Sequence, residues 1–181
     1  MMSLDEAWRW YENTFRYLKL MGRLGRGYWD ALPWQQGLER DDHFRLLDGE
    51  NVSGEVDHCL TFLDDLAVVV LFSEFESRVR AHVLMEIEDE VKALTHPVLR
   101  LAAEDVRTKI DEGSFFQVLQ PYKERHADLV EQVNQVRRYR NWVAHGKREE
   151  PPDAVNPKTA YERLSRFLSV LIPTTATEPT P

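Results

Sequence analysis

The residues best suited to chemistry lie in one run, Tyr139-Arg140-Asn141-Trp142-Val143-Ala144-His145-Gly146. Arg137 and Arg138 precede it, Lys147 and Arg148 follow, and no acid appears before Glu149. The chain carries a formal net charge of -8, so this basic cluster is a local exception. His145 belongs to the one side-chain class that moves a proton near neutral pH. Arg140 stays cationic and donates from a planar fork. If their helix persists to residue 145, Arg140 and His145 stand roughly 140° apart around its axis. They then do not converge on one ligand. Arg137, Asn141 and His145 share a stripe at four-residue spacing instead. For Arg140 and His145 to act together, the helix end must loosen or a second copy must face the first.

The rest of the chain has to position that run. Its 181 residues suit one domain, or one domain with an appendage. Hydrophobic residues make up 43% and charged residues 30%, a composition for a soluble globular chain with a real core. The lone Cys59 leaves no internal disulfide and no zinc cluster, which points to a reducing, cytoplasmic setting. MMSLDEAWRW lacks a basic region followed by an apolar run, so no signal peptide is expected. The longest apolar run, residues 66 to 72, is far short of a membrane span. A pI near 5.3 argues against a broad electropositive surface for duplex DNA.

Periodicity predicts helices throughout. Ser3-Leu4-Asp5-Glu6 reads as a capping box, and Leu4, Trp8, Tyr11, Phe15 and Leu18 form the stripe that follows. Gly22, Gly25 and Gly27 are expected to end that helix. The glycine-rich stretch from Met21 to Trp34 lacks the Gly-Lys-Ser/Thr of a phosphate loop and reads as a turn over aromatics. Residues 35 to 54 predict a short helix and then a loop at Gly49 and Gly54. From about Val56 to Leu94 one long helix, or two nearly continuous ones, carries Leu60, Leu63, Ala67, Val70, Phe75, Val79 and Val83 on a broad stripe. Thr95-His96-Pro97 breaks it, and Pro97 opens a helix to about Ile110. A stub at 115 to 119 precedes a helix from about Lys123 to Ala144, with Leu129, Val133, Val136, Tyr139 (or Arg140) and Val143 inward. Gly146 falls where a left-handed residue closes a helix. Asn156-Pro157 caps a final helix over 157 to 171. The fold class is therefore all-α, a helical bundle. Its divisions are an N-terminal helical extension over 1–55, a bundle over 56–172 and a disordered tail over 173–181.

Arg140, Asn141 and His145, separated by Trp142, Val143 and Ala144 and followed by Gly146, resemble the HEPN superfamily. Its signature is an Arg, then four to six residues, usually with a polar one directly after the Arg, and then a His. The similarity covers about residues 125 to 171, and the helix around Phe72-Ser73-Glu74-Phe75-Glu76 is similar to an earlier helix of that family. What the resemblance implies is a HEPN-like bundle, commonly a homodimer with the site at the dimer interface. In many members it is a metal-independent endoribonuclease, and often a toxin or defence protein controlled by an antitoxin or regulatory partner. RNA carries its own nucleophile, the 2′-OH. His145 would serve as general base or acid. Arg140 would stabilise charge on phosphorus, and Asn141 would orient His145 or donate to the phosphate. The products would be a 2′,3′-cyclic phosphate and a 5′-OH. Members modified on tyrosine carry it two residues after the His, whereas Lys147 stands there in this chain.

Plainer roles exist for each residue. His145 could cap the helix end, and Arg140 could pair with a surface carboxylate. Arg137, Arg138, Lys147 and Arg148 could bind RNA or simply complement the helix dipole. Trp142 suits a core or dimer interface. Glu74 and Glu76 could orient Arg140 or His145, but a solvated helix face is the expectation. His82 and His126 are assigned no role. Asp64-Asp65 and the acids from Glu86 to Glu90 lack a histidine at ligand spacing, so no metal site and no cofactor is expected.

Overall fold

The computed structural model describes residues 2–32, 47–148 and 150–172. It is an all-α helical bundle, with no strand among the described residues. The helices are α1 (Leu4–Gly27), α2 (Gly49–Ala93), α3 (Pro97–Asp111), α4 (Phe115–Leu119), α5 (Lys123–Ala144) and α6 (Pro157–Leu171). Single turns of 3-10 helix occupy Trp29–Ala31 and Gln120–Tyr122. The short helix expected before Gly49 and the tail from 173 fall outside the described residues. Contacts divide the chain into a unit of Asp5–Ala67 and a larger one of residues 1–4 and 68 onward, with one boundary inside α2. No described helix is long and apolar enough to cross a membrane.

In the smaller unit α1 runs antiparallel to the first part of α2. Tyr11 donates to Asp64 at 2.8 Å. Nearer the far end, Arg26 donates to both carboxylate oxygens of Asp57, at 2.6 and 2.8 Å. Trp29 packs with Val52 and Val56 and donates from its indole nitrogen to the Leu47 carbonyl at 3.0 Å. Burial and the neighbouring Asp64 carboxylate both raise the Tyr11 phenol above its ordinary pKa.

Two expectations fail here. Gly22 and Gly25 do not end α1, which continues to Gly27. A Cβ on Gly22 would stand 3.2 Å from the Val56 side chain, and one on Gly25 only 2.8 Å from the Gly49 carbonyl oxygen. These glycines let two helix backbones approach. Gly49 and Gly54 likewise lie inside α2 rather than in a loop. Asp48 supplies the start signal: its carboxylate accepts from the Asn51 N–H at 2.7 Å, and its carbonyl from the Val52 N–H at 3.1 Å. Gly25→Ala is predicted to cost roughly 1–3 kcal/mol, the usual range for overpacking. Urea denaturation measures it, and wild-type stability would remove the close approach from the account.

The larger unit has an aromatic core. Phe72 and Phe75 from α2, Phe115 from α4 and Phe167 from α6 meet edge-on or tilted at centroid distances of 5.6–5.9 Å. Val130, Val133 and Val136 of α5 and Leu164 of α6 complete it. The inward side of α5 thus includes Val130, while Leu129 and Val143 are only half-buried. That helix is kinked at His126 (φ −137°, ψ 46°), a break its periodicity did not signal.

The capping signals fare well. His96 accepts from the Val98 N–H at the start of α3, with Pro97 in the first turn. Asn156 accepts from the Thr159 N–H at 2.9 Å and Pro157 opens α6. Asn156→Ala is predicted to lower stability by about 1 kcal/mol, the usual worth of an N-cap. A shift in the denaturation midpoint would show it.

Candidate functional site

The end of α5 is built by a Schellman closure. Gly146 takes φ +75° and donates to the Val143 carbonyl at 3.0 Å, while Lys147 donates to the Trp142 carbonyl at 2.9 Å. Glycine suits the left-handed position, and Lys147 also takes positive φ, at 57°. The Lys147 ammonium lies over the Trp142 ring, 5.1 Å from its centroid. Closing the helix this way leaves His145 as its C-cap residue (φ −87°, ψ 12°), with an exposed side chain.

Two concave surfaces flank this helix end. One is an open cleft of about 860 Å³, lined by Arg138, Asn141, Trp142, His145 and Arg148, with Glu150 and Pro152 also on its surface. Trp142 is half-buried there rather than in the core, and its ring pairs with Tyr139 at 5.7 Å. Arg138 pairs with Glu131 at 2.7 Å, an exposed pair that contributes little to stability.

The other surface is a polar cavity of about 300 Å³, lined among others by Glu76, Arg80, Arg137, Arg140 and Asn141. Arg140 belongs to it and not to the His145 cleft. Its guanidinium lies 5.5 Å from the centroid of the Phe72 ring. One terminal nitrogen donates to the Asn141 side-chain oxygen at 3.0 Å, and the other is 3.8 Å from a Glu76 oxygen. Its Nε is buried without an acceptor.

Glu76 is thus not the solvated carboxylate expected. Only 20% of its side chain is exposed, and its other oxygen accepts from Arg80 Nη2 at 2.5 Å. Arg80, 13% exposed, also donates to the carbonyls of Ile110 and Gly113 at the end of α3. The chain of contacts runs from the end of α3 through Arg80 and Glu76 to Arg140. Arg80 was absent from the expected site. The Glu76–Arg80 spacing of four residues marks an ion pair, but nothing local announces its link to Arg140.

The expected residues therefore divide. Asn141, His145, Arg138 and Arg148 face one cleft, and Arg137 and Arg140 the other. Asn141 alone among the described residues lines both. Along the stripe, Arg137 and Asn141 share the polar cavity and Asn141 and His145 share the open cleft, while Arg137 and His145 do not line the same surface. No group of three or more His, Cys, Asp or Glu side chains able to hold a metal gathers among the described residues.

No family model, curated protein or solved structure matches this chain.

The site's chemistry must be read from its own residues. It offers an exposed imidazole in a cleft bordered by arginines, and an amide that joins that cleft to a fixed guanidinium. That combination can shift a proton and stabilise an anion on opposite sides of Asn141.

Proposed function

We propose that the protein is a HEPN-type, metal-independent endoribonuclease, and that it acts as a toxin or defence enzyme in the cytoplasm. The observation that carries this reading is His145 in its open cleft, next to Asn141, whose side chain is bonded to Arg140. The imidazole takes the 2′-OH proton as the oxygen attacks phosphorus, and an imidazolium protonates the leaving 5′ oxygen. Arg140 neutralises the charge that develops on the non-bridging oxygens. Arg138 and Arg148 border the path of an RNA strand, with Lys147 beside them over Trp142.

Because Arg140 and His145 of one chain face different cavities, the reading includes a homodimer. A second copy then supplies the His145 that works with the first copy's Arg140. An antitoxin or other regulatory protein is a natural partner for such an activity.

The deciding experiment is incubation of the purified chain with structured and unstructured RNA in EDTA, followed by end-group analysis. Cyclic-phosphate and 5′-OH ends support the reading, and intact RNA in the presence of folded dimer refutes it. A second reading is a non-catalytic HEPN-type module that binds RNA, nucleotide or protein. It draws support from the engagement of Arg140 by Glu76, away from His145. RNA affinity without turnover would select it.

A further inference from the structure

The polar cavity on the Arg140 side of α5 holds more positive charge than its partners balance. Three guanidiniums line it, Arg80, Arg137 and Arg140, against the carboxylates of Glu76 and Glu112. Arg80 is committed to Glu76 and to two carbonyls. Arg140 shares that same carboxylate, but at 3.8 Å. Arg137 has no carboxylate within ion-pairing distance among the described residues. Its Nε donates to the neutral Asn134 oxygen at 3.1 Å, and its guanidinium lies over Phe116 at 5.2 Å.

Burial, and then repulsion from Arg138, hold the Arg137 guanidinium below its ordinary pKa. Glu131 and Glu76 offset this only in part and from beyond ion-pairing distance. Phe116 and Phe72 back the two side chains, three residues apart on one face of α5, so their orientation is set before any ligand arrives.

The geometry points to an oxyanion site here: Arg137 and Arg140 together bind one phosphate group, in a cavity separate from the His145 cleft. The cavity admits a phosphate, and its walls are almost wholly polar. Planar forks are the donor chemistry that phosphate selects. The phosphate can be a free anion or one link of an RNA backbone. Only the second source rests on the ribonuclease reading, and in that case the strand crosses α5 between the two cavities.

The test uses the full chain and ligands that cannot be cleaved: inorganic phosphate, and a hexanucleotide lacking 2′-OH groups. Calorimetry at low salt reads the affinity of wild type, Arg137→Gln and Lys158→Gln. A free-anion site predicts saturable phosphate binding, at least about tenfold weaker in Arg137→Gln, the low end for a lost charged hydrogen bond. Lys158→Gln, at an exposed cation on α6 outside both cavities, should leave phosphate binding within about twofold of wild type, since distant independent sites couple weakly. A backbone site predicts no binding of phosphate alone, with hexanucleotide affinity falling by a similar factor in Arg137→Gln. Unchanged affinity for both ligands in Arg137→Gln overturns the proposal. So does an equally deep loss of phosphate binding in Lys158→Gln, since the affinity then follows overall charge and not a site. Circular dichroism checks folding. If Arg137→Gln unfolds, Arg137→Lys carries the same comparison, because it keeps the charge and removes the fork. None of these readouts depends on turnover, so failure of the site and failure of the ribonuclease reading are separate results.

Discussion

His145→Ala is expected to lower RNA cleavage in EDTA by about 10²- to 10⁴-fold, the range for losing a general acid–base group. The same substitution should leave stability within about 0.5 kcal/mol of wild type, as for other surface changes. The two halves of this prediction come from the same geometry. The side chain is exposed and makes no hydrogen bond among the described residues. The backbone closure of α5 rests on Gly146 and Lys147 instead. A folded, inactive variant therefore isolates proton transfer from architecture. Arg140→Ala should also abolish cleavage, but with a stability loss, because its guanidinium packs over Phe72 and binds Asn141. Time courses on a labelled RNA, with urea denaturation of the same samples, measure both halves. Full activity in His145→Ala would remove this residue from the mechanism.

Glu76→Ala has a large expected effect on stability, roughly 1.5–3 kcal/mol, the range for losing hydrogen bonds to a charged partner in a part-buried pair. Glu76 and Arg80 expose only 20% and 13% of their side chains, so solvent screens the pair weakly. The substitution leaves Arg80 with carbonyl partners alone and withdraws the carboxylate nearest Arg140. Glu76→Gln separates the two consequences. It keeps the volume and one acceptor oxygen but deletes the charge. If Glu76 positions Arg140, Glu76→Gln stays folded while cleavage drops by about tenfold, the loss of roughly 1.4 kcal/mol of transition-state stabilisation. Rescue by Glu76→Asp would further separate orientation from bulk. Wild-type cleavage by Glu76→Gln would mean that the pose of Arg140 does not depend on that charge.

Much of the architecture was legible along the chain, because helix signals are local. Three- and four-residue apolar spacing marked the stretches that became α2, α5 and α6. Thr95-His96-Pro97, Gly146 and Asn156-Pro157 marked ends and starts through short-range hydrogen bonding and fixed φ. The same locality made the basic run at the end of α5 stand out as the candidate site. Gly22 and Gly25 misled, since a glycine that breaks a helix and one that admits a neighbouring helix look alike in one dimension. Their role appeared only with Gly49 and Val56 against them.

The tertiary structure alone decided which way the motif faces. Arg140 turns to Phe72 and Glu76, residues more than sixty positions earlier, while His145 stands in a different cleft. Spacing along a helix sets the angle between two side chains. It does not say which of them meets a part-buried carboxylate from elsewhere in the chain. That choice is made by packing, where desolvating a guanidinium is tolerated only beside a matching acceptor and an aromatic wall.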